Sequence, residues 1–386
     1  MPHDSTYSSP VIVGVRHFAD WPQTETVESV IRDLGQNTGN LFFTDALQNV
    51  LARARWAPYS FTEEDLEGCD AIILAAANWI GPVDDFGWLA ERLESTQLPV
   101  FLIGIGAQTP SLSELPTLKP GTMRLLSLVQ DRSKSIAARG LFTCDVLSKY
   151  GFTKVQPTGC PSLLMLGPSG PQISTFEPKL ALSDICTHAT RHMFHPTDSF
   201  QTYLFRQALK HDTDLVLQSE LPDIYFALRR TGNEEIVRRA QAVLEDVYGT
   251  KDFNRIRRFL AGHGKIFINY DQWIGYLKTR SFCFGTRFHC TIAALIAGVP
   301  ATLISHDSRT MEMAEWMKVP AISSENMDCE RDICPANLVL PDALAEFVEN
   351  YPSYYSDYLE YFKFNGLTVA AEFATNDEEA PKDGIR

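Results

Sequence analysis

The chain of 386 residues lacks a basic surplus: 34 Lys and Arg stand against 48 Asp and Glu, a net charge of −14. A phosphate backbone demands a basic partner surface, so nucleic-acid binding is excluded as the main task. Long apolar runs are also missing. The longest, from Thr291 to Ile304, is interrupted by Gly298 and Pro300 and is too short to span a bilayer. The first ten residues, MPHDSTYSSP, hold no basic segment followed by an apolar one, so a secretory leader is not expected and the cytoplasm is. The eight cysteines form no CxxC pair, which favours reduced, mostly buried thiols; Cys329 and Cys334 alone are too little for a metal or disulfide framework. There is no short repeat, and the polar tail TNDEEAPKDGIR is expected to be disordered.

What is present is an ordinary globular composition, 45% apolar and 21% charged, on a length that suggests two domains. Short apolar runs alternate with amphipathic stretches. VIVGV (11–15), DAIILAAA (70–77), PVFLIGIGAQ (99–108), SIAAR (135–139) and KVQPTG (154–159) read as strands. Between them, Leu41, Phe42, Ala46, Leu47, Val50 and Leu51 fall at helical spacing, Trp88, Leu89 and Leu93 mark a second helix, and 143–151 a third. LGPSGPQISTFEP (166–178) breaks the pattern and reads as a linker. The alternation then restarts with KLALSDIC (179–186), DLVLQSE (214–220), KIFINY (265–270), SFCFG (281–285) and ATLIS (301–305), with helices at 234–247, 288–297 and 341–364. The expected fold class is α/β, two Rossmann-like doubly wound domains facing a cleft. The boundaries expected are 1–170 and 171–386, with the C-terminal helix packing back on the first domain.

Ligands of such sheets bind beyond the carboxyl ends of the strands, which draws attention to GTRFHC (285–290). Arg287 and His289 fall in the first turn of a helix, where unpaired N–H groups already favour an anion. A phosphate or carboxylate would be held by Arg287, with His289 beside it to carry a proton. The plainer alternative pairs Arg287 with an acid and leaves His289 as a core residue.

SFCFGTRFHCTIAALIAGVPATLIS resembles the C-terminal signature of the polysaccharide pyruvyl transferases. NTGNLFFTDAL (37–47) is similar to that family's Asn-x-Gly loop, and residues 135–165 to its strand-Arg-Gly, helix and Gly-Cys-Pro-Ser run. The resemblance implies a GT-B-like fold. It implies transfer of the enolpyruvyl unit of phosphoenolpyruvate onto two sugar hydroxyls, giving a pyruvate ketal and free phosphate. It places donor binding and catalysis on Arg287 and His289, with no cofactor beyond the donor substrate. The partner would be a sugar or lipid-linked glycan of the exopolysaccharide kind; a homo-oligomer is left open.

Further donor contacts are expected from Arg139, at the end of SIAAR, from Arg191 at the cleft edge, and from His306 and Arg309 after ATLIS. Arg139 equally suits a carbonyl cap. His188, His192 and His195 around Arg191 could suggest zinc, but loop histidines are more often hydrogen-bonded, and no metal site is expected. Acceptor contacts are expected from Asn37, Gly39, Asn40, Gln108 and Trp79. Asn37 and Asn40 equally suit a turn with an N-cap, and Trp88 the core. Relatives often carry an acid where this chain has Asn40, which leaves the base for the acceptor open. Two other functions are kept: a GT-B glycosyltransferase using a nucleotide sugar, and a non-catalytic binder of anionic glycan.

Overall fold

The computed structural model describes residues 5–174, 181–191, 199–230 and 234–375. Among them are two six-stranded sheets, and every strand pair in both is parallel. The first sheet contains β1 (Val11–Gly14), β2 (Arg55–Pro58), β3 (Ile72–Ala75), β4 (Val100–Ile105), β5 (Ile136–Ala138) and β6 (Val155–Pro157), in the order β2-β1-β3-β4-β5-β6. The second contains β7 (Ile185–His188), β8 (Asp214–Leu217), β9 (Gly264–Ile266), β10 (Phe282–Gly285), β11 (Ala301–Ser305) and β12 (Ala321–Ser323), in the order β12-β11-β10-β7-β8-β9. Helices cover both faces, which is why the central strands β1, β3, β4, β7 and β10 are buried at every position. The fold is therefore two doubly wound α/β units, as the alternation of runs predicts.

Four strand readings need correction, the first being KIFINY (265–270), which is strand only to Ile266, with Tyr270 opening the Tyr270–Leu277 helix. β2, with the sequence RWAP, and β12 escape a search for apolar runs because both are short edge strands with little wholly buried surface. β7 begins at Ile185, not at residue 179, because Leu182–Asp184 form a 3-10 turn with no buried residue. Residues 179–180 lie outside the described residues, as do 175–178 of the linker.

The long helix Pro341–Asn365 lies against the first sheet's side of the molecule. Its tyrosine hydroxyls donate to backbone carbonyls there: Tyr361 to Ser135 at 3.1 Å, Tyr358 to Gly159 at 3.0 Å and Tyr354 to Cys160 at 2.5 Å. Each buried phenol thus keeps a hydrogen bond. Among the described residues, no helix is long and apolar enough to cross a membrane.

Candidate functional site

In the second sheet the strand order reverses direction between β7 and β10, where open α/β sheets gather their ligands. GTRFHC leaves β10 at this point. Gly285 has φ 149°, and a Cβ there would lie 1.8 Å from the His188 carbonyl oxygen, so only glycine fits. The turn is pinned to the end of β7: Thr286 N–H donates to the His188 carbonyl at 3.0 Å, and Arg287 N–H donates to His188 Nδ1 at 2.9 Å. Arg287 is the N-cap residue of the Phe288–Ile296 helix and His289 lies in its first turn.

Both side chains are only 7% exposed. Arg287 is paired with an acid, the plainer of the two readings of the sequence. Its Nη2 donates to the carboxylate of Glu220 and to Ser219 Oγ, and reaches the Arg191 carbonyl at 3.0 Å; its Nε reaches the Ala189 carbonyl at 3.2 Å. Burial would raise the Glu220 carboxyl, but Arg287 and the Gln218 N–H outweigh it and hold it below its ordinary range. Arg191 is corrected more strongly. It is not at a cleft edge but buried in an ion pair with Asp223, its guanidinium 5.5 Å from the Phe205 ring. Two buried acids, neither flagged in advance, claim these two arginines, because an unpaired buried cation is costly. Glu220 was findable: it follows DLVLQS at the carboxyl end of β8.

His289 has a different setting. Burial and the positive charges of Arg139, Arg309 and Arg287 push its imidazole well below its ordinary value, so it is neutral. Its ring lies 5.6 Å from that of Phe43, and its Nε2 is 3.6 Å from Cys160 Sγ. The first sheet meets it through Gly39, where a Cβ would lie 2.8 Å from His289 Cβ and 2.6 Å from Gln218 Oε1. Gly39 is thus a point of close approach between the sheets. Thr38 N–H adds a bond to the Gln218 carbonyl at 3.1 Å. Asn37 accepts from Gly39 N–H at 2.9 Å, and Asn40 Nδ2 donates to the Leu34 and Gly35 carbonyls. Those two side chains shape the turn, the plainer of the two readings.

The remaining residues fall on both sides of the same seam. Arg139 donates from Nε to the Gly104 carbonyl at 2.8 Å and from Nη1 to Asn78 Oδ1 at 2.7 Å, so it caps carbonyls. Asp307 opens the Ser308–Met317 helix with a capping box. Its Oδ2 lies 3.4 Å from Arg309 Nη2, 3.9 Å from His306 Nε2 and 3.2 Å from Gln108 Nε2 of the first sheet. Among the described residues, Arg309 Nε is buried here without an acceptor. Glu312, on the same helix, accepts from Thr143 N–H at 2.6 Å and from Thr143 Oγ1 at 2.8 Å. It caps the Leu141–Lys149 helix from across the seam, because that helix's own N-cap is Gly140, without a side chain to do so. Burial pushes the Glu312 carboxyl up to about 7 against the bonds from Thr143.

The tryptophans exchange expectations. Trp79 is 8% exposed and stacked at 4.5 Å on Phe86, so it belongs to the core rather than to an acceptor surface, whereas Trp88 is 49% exposed. His192 and His195 lie outside the described residues. Among the described residues, His188, Cys283 and Cys290 come close enough to share an ion. Yet His188 Nδ1 accepts the Arg287 N–H, which leaves the ring proton on Nε2 and no lone pair there for a metal. A cavity of about 560 Å³ opens beside Glu312, lined by Leu141, Phe142, Asp145, Trp316 and Tyr354.

A family model described as polysaccharide pyruvyl transferase matches residues 19–308, a span that includes Gly39, Arg139, Cys160, Arg287 and His289. No curated protein matches the chain. Similar solved structures include the Anabaena protein HepE in complex with UDP and glucose, 9% identical over 92% of this chain and 100% of that one, with a TM-score of 0.41. A putative UDP-N-acetylglucosamine 2-epimerase from Listeria monocytogenes is 12% identical over 90% of this chain and 81% of that one, with a TM-score of 0.38. A functionally uncharacterised protein from Klebsiella pneumoniae is 12% identical over 82% and 92%, with a TM-score of 0.36.

Proposed function

The chain belongs to the polysaccharide pyruvyl transferase family, and from that premise we propose that it moves the enolpyruvyl unit of phosphoenolpyruvate onto two hydroxyls of a sugar, on a polysaccharide or glycan precursor. The product is a cyclic pyruvate ketal, and phosphate leaves. The reading rests on one observation: a neutral His289 faces three arginines where two sheets meet, one of which, Arg309, keeps a buried Nε without an acceptor among the described residues.

Each step of this chemistry finds a group. The donor carries a phosphate and a carboxylate, and Arg309 offers a buried Nε–H that meets no acceptor among the described residues. Arg139 adds positive potential while its own hydrogen bonds hold it fixed. Arg287, compensated by Glu220, acts through its field and through the geometry of the turn. The donor's CH2 carbon must gain a proton, one hydroxyl must lose a proton as its oxygen adds to C2, and a second hydroxyl then displaces phosphate. A neutral imidazole at the seam can pass these protons. The low exposure of the seam keeps water from competing for C2.

The test is incubation with phosphoenolpyruvate and a panel of glycans, following phosphate release. Turnover is expected, with His289→Ala losing at least about 100-fold in kcat and Arg309→Ala raising KM for the donor. Phosphate release unchanged in both variants would refute the assignment. Turnover with a nucleotide sugar instead would favour glycosyl transfer.

A further inference from the structure

We propose that Cys160 and His289 form a proton relay in which the thiol of Cys160 replaces the proton that His289 delivers. This rests on His289 being the proton carrier of the reaction proposed above. Cys160 Sγ lies 3.6 Å from His289 Nε2 and 3.2 Å from Ser162 Oγ. The thiol is wholly buried behind the imidazole, so it acts through His289 rather than on substrate. Its backbone is held on two sides: N–H donates to Met317 Sδ at 3.3 Å, and the carbonyl accepts from Tyr354 Oη at 2.5 Å. Gly159 just before it has φ 84°, and Tyr358 Oη binds its carbonyl at 3.0 Å. The long C-terminal helix therefore fixes where the sulfur sits.

The direction of the bond follows from chemistry. A thiol sulfur is a poor acceptor and an imidazole lone pair a good one, so S–H donates to Nε2. The ring proton is then on Nδ1, the nitrogen turned towards Gly39, 3.1 Å from where a Cβ of Gly39 would stand. That is the side on which the two sheets meet.

A neutral imidazole that gives up its only proton becomes an anion, which is prohibitive without a second proton. The relay removes this obstacle. The Nδ1 proton forms the new C–H bond at the donor's CH2 carbon, using the π pair of the alkene. The S–H proton moves to Nε2, leaving a neutral ring and a thiolate next to the positive field of Arg139, which interacts electrostatically with Cys160. As the first acceptor hydroxyl adds to C2, its proton goes to Nδ1 and the Nε2 proton returns to sulfur. The net transfer is one proton from the acceptor hydroxyl to the methyl carbon, and the protein ends as it began. No separate carboxylate base is needed, which accords with Asn40 standing where relatives often carry an acid.

The titratable or charged groups acting on His289 are Cys160, Arg139, Arg309 and Arg287; Phe43 and Phe288 bring none. The relay therefore hinges on the thiol. The experiment combines ¹⁵N NMR of histidine-labelled full-length chain with kinetics of Cys160→Ala and Cys160→Ser. The expected results are a Nδ1–H tautomer for His289 in the native chain and its loss in Cys160→Ala. Turnover should fall at least about tenfold in Cys160→Ala with donor KM kept, and stay low in Cys160→Ser, whose hydroxyl keeps the Nδ1–H tautomer by donating to Nε2 but would be left as a far more basic alkoxide on giving up its proton. A native Nε2–H tautomer, or Cys160→Ala turning over at the native rate with an unchanged pH profile, overturns the relay. The tautomer needs no donor, so a failure to turn over phosphoenolpyruvate refutes the proposed reaction without obscuring the Cys160–His289 bond. If Cys160→Ala does not fold, the native tautomer and Cys160→Ser decide.

Discussion

The arginines of the second sheet's interior and those of the seam between the sheets solve different problems. Arg287 and Arg191 each face a buried acid, Glu220 and Asp223, and those pairs close the space beyond β7 and β8. Arg309 shares Asp307 with His306, Gln108 and a helix cap, and keeps a buried Nε without an acceptor among the described residues. The first arrangement holds the turn in shape; the second leaves hydrogen-bonding capacity for an anion. An arginine close to a strand's carboxyl end is thus not by itself a ligand contact, and what separates the two cases is how closely an acid engages the fork: Glu220 accepts a hydrogen bond from Arg287, whereas Asp307 stands 3.4 Å from Arg309 Nη2.

The largest test of this contrast is Glu220→Ala. It strips a buried guanidinium of its partner and removes the acceptor of the Gln218, Ser219 and Arg191 N–H groups, so a loss of about 3–5 kcal/mol in urea unfolding is expected. A loss below about 1 kcal/mol would mean that the pair is not structural.

Next comes the trans cap. The Glu312 carboxyl is raised to about 7 from 4.5, so the folded chain binds this proton more tightly than the unfolded one. Its burden on stability is absent below pH 4.5 and grows as pH rises towards 7, on the order of 3 kcal/mol in full. Unfolding free energy measured across that window should decline, and Glu312→Gln should flatten the decline. An equal slope in both proteins would show that Glu312 does not titrate there.

The smallest effect on stability is expected from Arg309→Ala. No acid is left buried and unhydrogen-bonded, since Asp307 still accepts from Thr310 N–H at 2.8 Å. A change under about 1 kcal/mol in thermal or urea unfolding is expected, together with weaker donor binding. A collapse in stability comparable to that of Glu220→Ala would place Arg309 with the structural pairs and erase the distinction.

Much of the scaffold was legible because apolar runs and helical spacing are local. VIVGV, the Glu234–Val247 helix and the turn at GTRFHC are recognisable from residues a few positions apart. The edge strands β2 and β12 were not, since an edge strand needs few apolar residues. At the site, His289 and the glycine before it were readable from a strand-to-helix junction. The partners of Arg287 and Arg191, the bond between Cys160 and His289, and the cap of Glu312 on Thr143 were not: each joins residues at least 32 positions apart.

Sequence alone determined two parallel α/β units, the family, and a histidine placed at a strand's carboxyl end. Tertiary structure decided which arginines are neutralised, that Cys160 lies against His289, and that Trp79 is core while Trp88 is not. The physical reason is that strands and helices arise from short-range periodicity, whereas the state of a buried charge depends on which distant group desolvates or compensates it.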